Sequence, residues 1–335
     1  MTRLSLLLVV AAACGGSPKP TPTTTPLPDD TKQAAPPVAQ APAPAPAVKS
    51  PAPPPPPAGP LDIKIPALQT TVKLVSGGKG KKEAMRYALK EGAKQAVELA
   101  LDFSGRQDTE EQGVPTIVLS ASAETKAVGK DGTAEYTLTV TSTDAREVAG
   151  VAVDMGQFKH ALEILSGLTI GGTVGANGAA GDVTLHMENP PPHAARVLDL
   201  IRMTLPRLPV LPTEAVGVGA RWQATTSAKL ADRLDITQIT DYELIAHKGS
   251  TWTIKGTSKV SGKDQDIETS KVSEITGTGT SEATIDGGAL YPTLKSSIET
   301  QFKASEKDKS VKFTLKIGSA VTPKDAAAAP AAKGK

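Results

Sequence analysis

Apolar and polar residues alternate one for one through five separate stretches of this chain. Val97, Leu99, Leu101 and Phe103 alternate with Ala96, Glu98, Ala100 and Asp102. Tyr136, Leu138 and Val140 alternate with Glu135, Thr137, Thr139 and Thr141, and Val183, Leu185 and Met187 with Asp182, Thr184, His186 and Glu188. Trp252 and Ile254 alternate with Thr253 and Lys255, and Val311, Phe313, Leu315 and Ile317 with Lys312, Thr314 and Lys316. Successive side chains on a strand point to opposite faces, so each stretch has one apolar and one polar face. That is the pattern of antiparallel strands covered on one side. The turn residues agree: Asp131-Gly132, Lys248-Gly249, Asp286-Gly287-Gly288 and the charged tip Glu306–Ser310 each separate two such runs.

Two stretches follow a helical period instead. Phe158, Leu162, Leu165 and Leu168 recur through Met155–Leu168, and Val197, Leu198, Ile201 and Leu205 through His193–Leu205. Pro190–Pro192 precede the second helix and Pro206 ends it. A Gly-rich hairpin, Ile170–Met187, lies between the helices. The expected fold is α+β and β-dominated: a large, curved, mostly antiparallel sheet with two amphipathic helices, either a half-barrel or two pseudo-repeated halves. Glu91-Gly92-Ala93-Lys94-Gln95 and Val218-Gly219-Ala220-Arg221-Trp222 each open an alternating strand, and Gly turns follow at Gly132 and Gly249. The halves would be 61–150 and 207–322, joined by a helix–hairpin–helix segment 151–206, with Gly105–Gly113 as an extra loop. The other reading is an ordinary meander, which repeats strand and turn without duplication.

Residues 17–60 carry 17 of the 28 prolines, including the run Pro53–Pro57. Such a segment buries no core and favours extended polyproline II, so 14–60 reads as a disordered tether; the other use of such a segment is as a ligand for a proline-recognising partner. At about 3.1 Å per residue, some 45 residues reach on the order of 140 Å. The Ala/Lys/Pro-rich tail 323–335 reads as disordered too. Residues 1–13 combine Arg3, the apolar run Leu4–Val10 and Ala11–Ala13, the pattern of an export signal too short to span a bilayer. Cys14, the single cysteine, follows directly, with Gly15 and Gly16 after it. This resembles a bacterial lipoprotein signal, which implies acylation of Cys14, palmitate included, and membrane anchoring through several acyl chains. Gly15 in place of the Asp that retains such proteins at the inner membrane implies the outer membrane, on its periplasmic face or at the cell surface.

Within the folded region, 61–322, the most distinctive segment is Leu208–Trp222. Its Pro212, Val216, Gly219 and Trp222 resemble the Pro-x-x-x-Val-x-x-Gly-x-x-Trp segment of a family of large bacterial lipoproteins of unassigned activity. Arg86–Gly92 is similar to that family's opening strand. The resemblance implies an exported, acyl-anchored β-domain and brings no catalytic residue with it.

The chemistry-bearing residues are sparse. The 37 Lys and Arg nearly balance the 35 Asp and Glu, and aromatics make up 3%, which excludes a global basic field and base-stacking platforms for nucleic acid. One cysteine rules out a disulfide framework. The histidines, His160, His186, His193 and His247, show no metal-binding spacing, and no GxSxG elbow is present. No cofactor, metal or catalytic residue is expected. Gly77–Lys82 lacks phosphate-loop spacing. Lys79, Lys81, Lys82 and Arg86 read as a Lys-rich turn or as a contact with an anionic surface. Trp222 and Trp252 read as core or as pocket lining. The leading function is a non-enzymatic envelope binding domain for a lipid or other amphipathic ligand. The alternatives are a structural adaptor for another envelope protein, and a hydrolase with an unrecognised site. A large cavity favours the first, a sealed core the second, and a cleft of titratable groups the third.

Overall fold

The computed structural model describes residues 59–324 except 193, 231 and 232. The leader, Cys14, the tether as far as residue 58, and residues 325–335 lie outside the described residues. In chain order the elements are β1 Leu61–Ile65, β2 Gln69–Ser76, β3 Lys79–Ala84, β4 Lys94–Gln107, β5 Glu110–Gly113, β6 Thr116–Val128 and β7 Ala134–Arg146. Helix α1 Met155–Leu162 follows and continues as a 3-10 turn, Glu163–Leu165. Then come β8 Thr169–Val174, β9 Ala180–Met187, α2 Ala194–Thr204, β10 Ala215–Val218, β11 Arg221–Leu230 and β12 Leu234–Lys248. The last elements are β13 Thr251–Ser261, β14 Gln265–Ile267, β15 Ser270–Asp286, β16 Thr293–Glu306 and β17 Lys309–Lys324.

One antiparallel sheet takes the path β1-β9-β8-β7-β6-β4-β17-β16-β15-β13-β12-β11-β2, with β5 paired to β4 and β14 to β15. β10 and β3 form a separate pair. The two ends of the path, β1 and β2, are consecutive in the chain and joined only by Pro66-Ala67-Leu68. Ile65 and Gln69 therefore lie within about 15 Å of each other, the reach of four Cα–Cα steps. Laid flat, thirteen strands at about 4.8 Å spacing would hold these ends nearly 60 Å apart. The connection is possible only because the sheet curls on itself. β1 and β2 do not pair, so the curl stops short of a closed barrel.

The concave face is filled unequally. Around β4, β6, β7, β8 and β9, the inward residues include Leu99, Leu101, Ile117, Leu119, Leu138, Ile170 and Leu185, all buried. The helices seal this side: α1 lies on β7, and α2 crosses β4, β17 and β1. Phe158, Leu162, Leu165, Leu198 and Ile201 complete a large apolar cluster. The Asp154 carboxylate caps α1 by accepting from the Gln157 N–H at 3.0 Å. A second, small cluster of Leu234, Val272, Ile275, Phe302, Ala304 and Phe313 lies apart from the first, with Phe302 and Phe313 stacked at 5.3 Å.

The structure corrects three boundaries. Gly105–Gly113 is not a loop: β4 runs on to Gln107 and returns as β5 through a two-residue turn with Asp108 at φ 50°. The tail does not start at Pro323, because Pro323 and Lys324 pair with Val97 and Ala96. The expected halves 61–150 and 207–322 do not divide the sheet. β2 and β3 pair with β11 and β10, and the β8–β9 hairpin continues the sheet between β7 and β1. The recurring Gly segments do share one hydrogen-bond pattern. Gly92 N–H donates to Thr125 O, and Thr125 N–H to Ala93 O; Gly219 N–H donates to Leu244 O, and Leu244 N–H to Ala220 O. Both glycines have positive φ, 75° and 79°, and a bulge follows each site, at Thr125/Ala127 and Leu244/Ala246. In this register Tyr136 matches Ile254, and Trp252 matches Ala134. Both tryptophans thus belong to the second of these two patterns.

Candidate functional site

Between the two apolar clusters the sheet presents three cross-strand rows to its concave side. The first runs Trp222, Tyr242, Gly256, Ser281, Ser296, Ser319; the second Ala224, Thr240, Ser258, Gly279, Ile298, Ile317; the third Thr226, Gln238, Val260, Gly277, Thr300, Leu315. Eleven of these eighteen residues are Gly, Ala, Ser or Thr, too short to reach the opposite wall. The adjoining row, Leu244, Ile254, Ala283, Leu294 and Val321, is large, apolar and buried in the main cluster. The change from large to small residues leaves a cavity of about 1040 Å³. That is at the upper end of the roughly 300–1,000 Å³ of small-molecule sites.

The floor is hydroxyl-bearing and internally paired. Thr240 and Ser258 Oγ atoms lie 2.8 Å apart, Ser296 and Ser319 Oγ atoms 2.9 Å, and Thr70 and Thr226 Oγ1 atoms 2.9 Å. Gln238 Nε2 donates to Thr240 Oγ1 at 3.1 Å. The facing wall comes from the end of α2 and the segment after it, through Met203, Leu205, Arg207, Leu208, Pro209 and Val210. Three anchors fix that segment: Trp222 Nε1–H donates to Val210 O (2.9 Å), Leu211 N–H to Asn177 O (2.8 Å), and the Arg86 guanidinium to Pro212 O and Thr213 O (2.9 and 2.5 Å). The exposed lining residues lie mainly at Lys64–Gln69, Ser227–Lys229, Asp235 and Lys263, which places the mouth at the β1–β2 seam, and Arg207 is exposed on the facing wall.

Arg207 is the one charged group of that wall segment. It is exposed, lines the cavity and makes no hydrogen bond or ion pair among the described residues. The surrounding protein lowers its pKa from the usual value by desolvation, with no carboxylate offsetting it. Among the described residues the lining holds five cations, Lys64, Arg202, Arg207, Lys229 and Lys263, against one carboxylate, Asp235. Asp235 is 2.7 Å from Lys229, and Arg202 pairs with Asp199. Tyr242 stacks on Trp222 at 5.5 Å, covers Gly256, and has its hydroxyl pKa pushed up to about 12 by burial.

Of the residues the sequence singled out, Trp222 is 1% exposed and stands behind the floor, holding Val210. Trp252 is 7% exposed and stacks on His247 in the main cluster. Lys79, Lys81 and Lys82 lie exposed on β3, Lys81 paired to Glu83 at 2.5 Å, while the Arg86 guanidinium is spent on backbone carbonyls. His160 pairs with Glu163, and His186 lies between Asp62 (2.8 Å) and Glu188 (3.1 Å). His193 falls outside the described residues. No cluster of three His, Cys, Asp or Glu able to hold a metal occurs among the described residues. Among the described helices, none is long and apolar enough to cross a membrane. Sequence reasoning missed Arg207 and the inward hydroxyls. The signals were there: a lone cation in the Pro206–Pro209 apolar turn, and Ser258 in phase with the inward Ile254 and Val260.

Residues 207–288 match a family of unknown function, DUF6263. The match opens at Arg207 and covers the wall segment, β10 to β14 and β15, and hence much of the cavity floor. No curated protein and no solved structure matches the chain.

Proposed function

We propose that this protein is a lipid-anchored component of a bacterial envelope whose β-domain binds an amphipathic ligand without transforming it. The cavity carries this reading. It has an apolar wall at Met203, Leu205, Leu208 and Val210 and a hydroxyl-bearing floor opposite, so it offers both surfaces an amphiphile needs. Its described titratable side chains are the five cations, Asp235 and Tyr242, and the single carboxylate is held in an exposed ion pair with Lys229. Binding therefore suits the lining better than catalysis. The anchor rests on Cys14 and the leader before it, and the Pro-rich tether would carry the domain away from the bilayer.

Two experiments test the reading. The neutral apolar dye 1-N-phenylnaphthylamine should gain fluorescence with the protein and lose that gain in Ser296→Phe, which fills the floor. Equal fluorescence in both would place the dye elsewhere and remove the cavity from the account. For the anchor, Cys14→Ser should move the protein from the membrane fraction to the soluble one; continued membrane association of that variant would refute acylation as the tether.

A further inference from the structure

We infer that the ligand is an anion: an apolar body carrying an oxyanion head, carboxylate or phosphate, that the Arg207 guanidinium holds inside the cavity. The inference rests on the binding reading above and adds the charge of what is bound. A cation in a folded protein is commonly matched by a carboxylate close by. The neighbouring cations of this lining follow that rule: Lys229 has Asp235 and Arg202 has Asp199. Arg207 does not, although the chain just beyond it is fixed by the Trp222–Val210 and Arg86–Pro212 hydrogen bonds. Arg207 thus lines the cavity, exposed, with no partner for its donors among the described residues.

The rest of the lining excludes competing partners. Asp235 is the single carboxylate among its described residues, and Lys229 occupies it. A chain whose charges almost cancel overall, with net charge +2, places three cations without a carboxylate partner among the described residues, Lys64, Arg207 and Lys263, around one cavity. Such a lining repels a cationic amphiphile and attracts an anionic one. A planar guanidinium presents paired N–H donors that match the two oxygens of a carboxylate or phosphate, which a lysine does not. Leu205 and Leu208 flank it in sequence and share its wall, so a head bound to Arg207 leaves its apolar body along that surface.

The test uses the full chain carrying Cys14→Ser, so that no acyl anchor or detergent competes. Isothermal titration compares four probes: palmitate, 1-palmitoyl lysophosphatidate, the neutral 1-monopalmitoylglycerol, and inorganic phosphate. Expected is that at least one anionic amphiphile binds about tenfold or more tighter than the neutral one, the scale of a charge-assisted hydrogen-bond pair. Palmitate alone showing this would assign a carboxylate head, and lysophosphatidate alone a phosphate head. Arg207→Gln should erase the advantage, Arg207→Lys should keep part of it, and Lys295→Gln, exposed on the opposite face of β16, should leave it unchanged. Neutral and anionic amphiphiles binding alike to the wild-type sequence would overturn the anion while leaving the binding reading intact. Inorganic phosphate binding as tightly as lysophosphatidate would overturn the amphiphile. Failure of all four probes would sink both readings. If Arg207→Gln does not fold, the wild-type ratio and Arg207→Lys still decide.

Discussion

Replacing Trp222 probes the join between core and cavity. The side chain is 1% exposed, stacks on Tyr242 with rings 22° from parallel, and donates Nε1–H to Val210 O at 2.9 Å. Truncating a buried Trp to Ala costs about 3–5 kcal/mol through lost transfer energy and the void left behind. The Val210 carbonyl loses its donor, but it borders the cavity and can be rehydrated, so the hydrogen bond adds only about 1 kcal/mol. Trp222→Ala should therefore lose about 4–6 kcal/mol. Trp222→Phe keeps most of the stacking surface and should lose about 1–2 kcal/mol. Urea unfolding followed by far-UV circular dichroism measures both, with unchanged m-values as the sign that stability alone moved. With m near 3 kcal/mol/M, the Ala midpoint should fall by more than about 1 M. The Phe variant should also soften the cavity wall, because Val210 is no longer fixed. A Trp222→Ala midpoint within about 0.5 kcal/mol of wild type, with binding abolished, would make Trp222 an exposed platform and refute its place in the core.

Further expectations follow from single positions. The Tyr87 hydroxyl is buried without a hydrogen-bond partner, and burial drives its pKa far up, so Tyr87→Phe should be neutral or stabilising by about 1–2 kcal/mol; a loss above 1 kcal/mol in the same urea assay would reveal a bond to that hydroxyl. Gly178 has φ 85°, and a Cβ there would sit 2.6 Å from Pro209 O and 2.8 Å from Tyr87 Cε2, so Gly178→Ala should cost about 2 kcal/mol or more and loosen the cavity wall; a wild-type melting temperature would contradict this. His186 has a pKa raised above its usual 6.5, first by the Asp62 carboxylate and then by Glu188. A raised folded-state pKa means the clamp between β1 and β9 is fully present below that usual value and is lost as pH rises through the folded one. Amide exchange in Asp62–Lys64 should accelerate over that rise, and Asp62→Asn should lower the His186 titration midpoint seen by NMR; an unmoved midpoint would remove Asp62 as the cause.

The alternating stretches identified real strands because one face of each is buried by α1, α2 or the opposite side of the curl, and that burial writes itself as period two. Phe158 and Leu198 marked the helices for the same reason. The β4–β5 hairpin was not legible because it extends past the helices: Arg106, Glu110 and Glu111 are exposed there, so no alternation is imposed. Curvature was expected, but the seam that brings its two ends together was not legible, since it follows from β1 pairing with β9 while β2 pairs with β11, contacts made across more than a hundred residues. The cavity fell between these cases. Its floor residues alternate in phase with the core, but Ser258, Ser296 and Ser319 look like surface residues until the register sets them in rows. Arg207 stands in the sequence as a lone cation between Pro206 and Pro209, but its place on the cavity wall follows only from the fold.

The central claim is that the cavity holds an amphiphile in the folded protein. Native mass spectrometry of the full Cys14→Ser chain mixed with 1-palmitoyl lysophosphatidate tests it most directly, because it counts bound molecules on the folded chain. The account predicts one saturable adduct of that probe's mass per chain, present in Ser319→Ala and absent in the cavity-filling Ser296→Phe. A ladder of adducts growing with probe concentration, equal in both variants, would mean surface association only and would contradict the account.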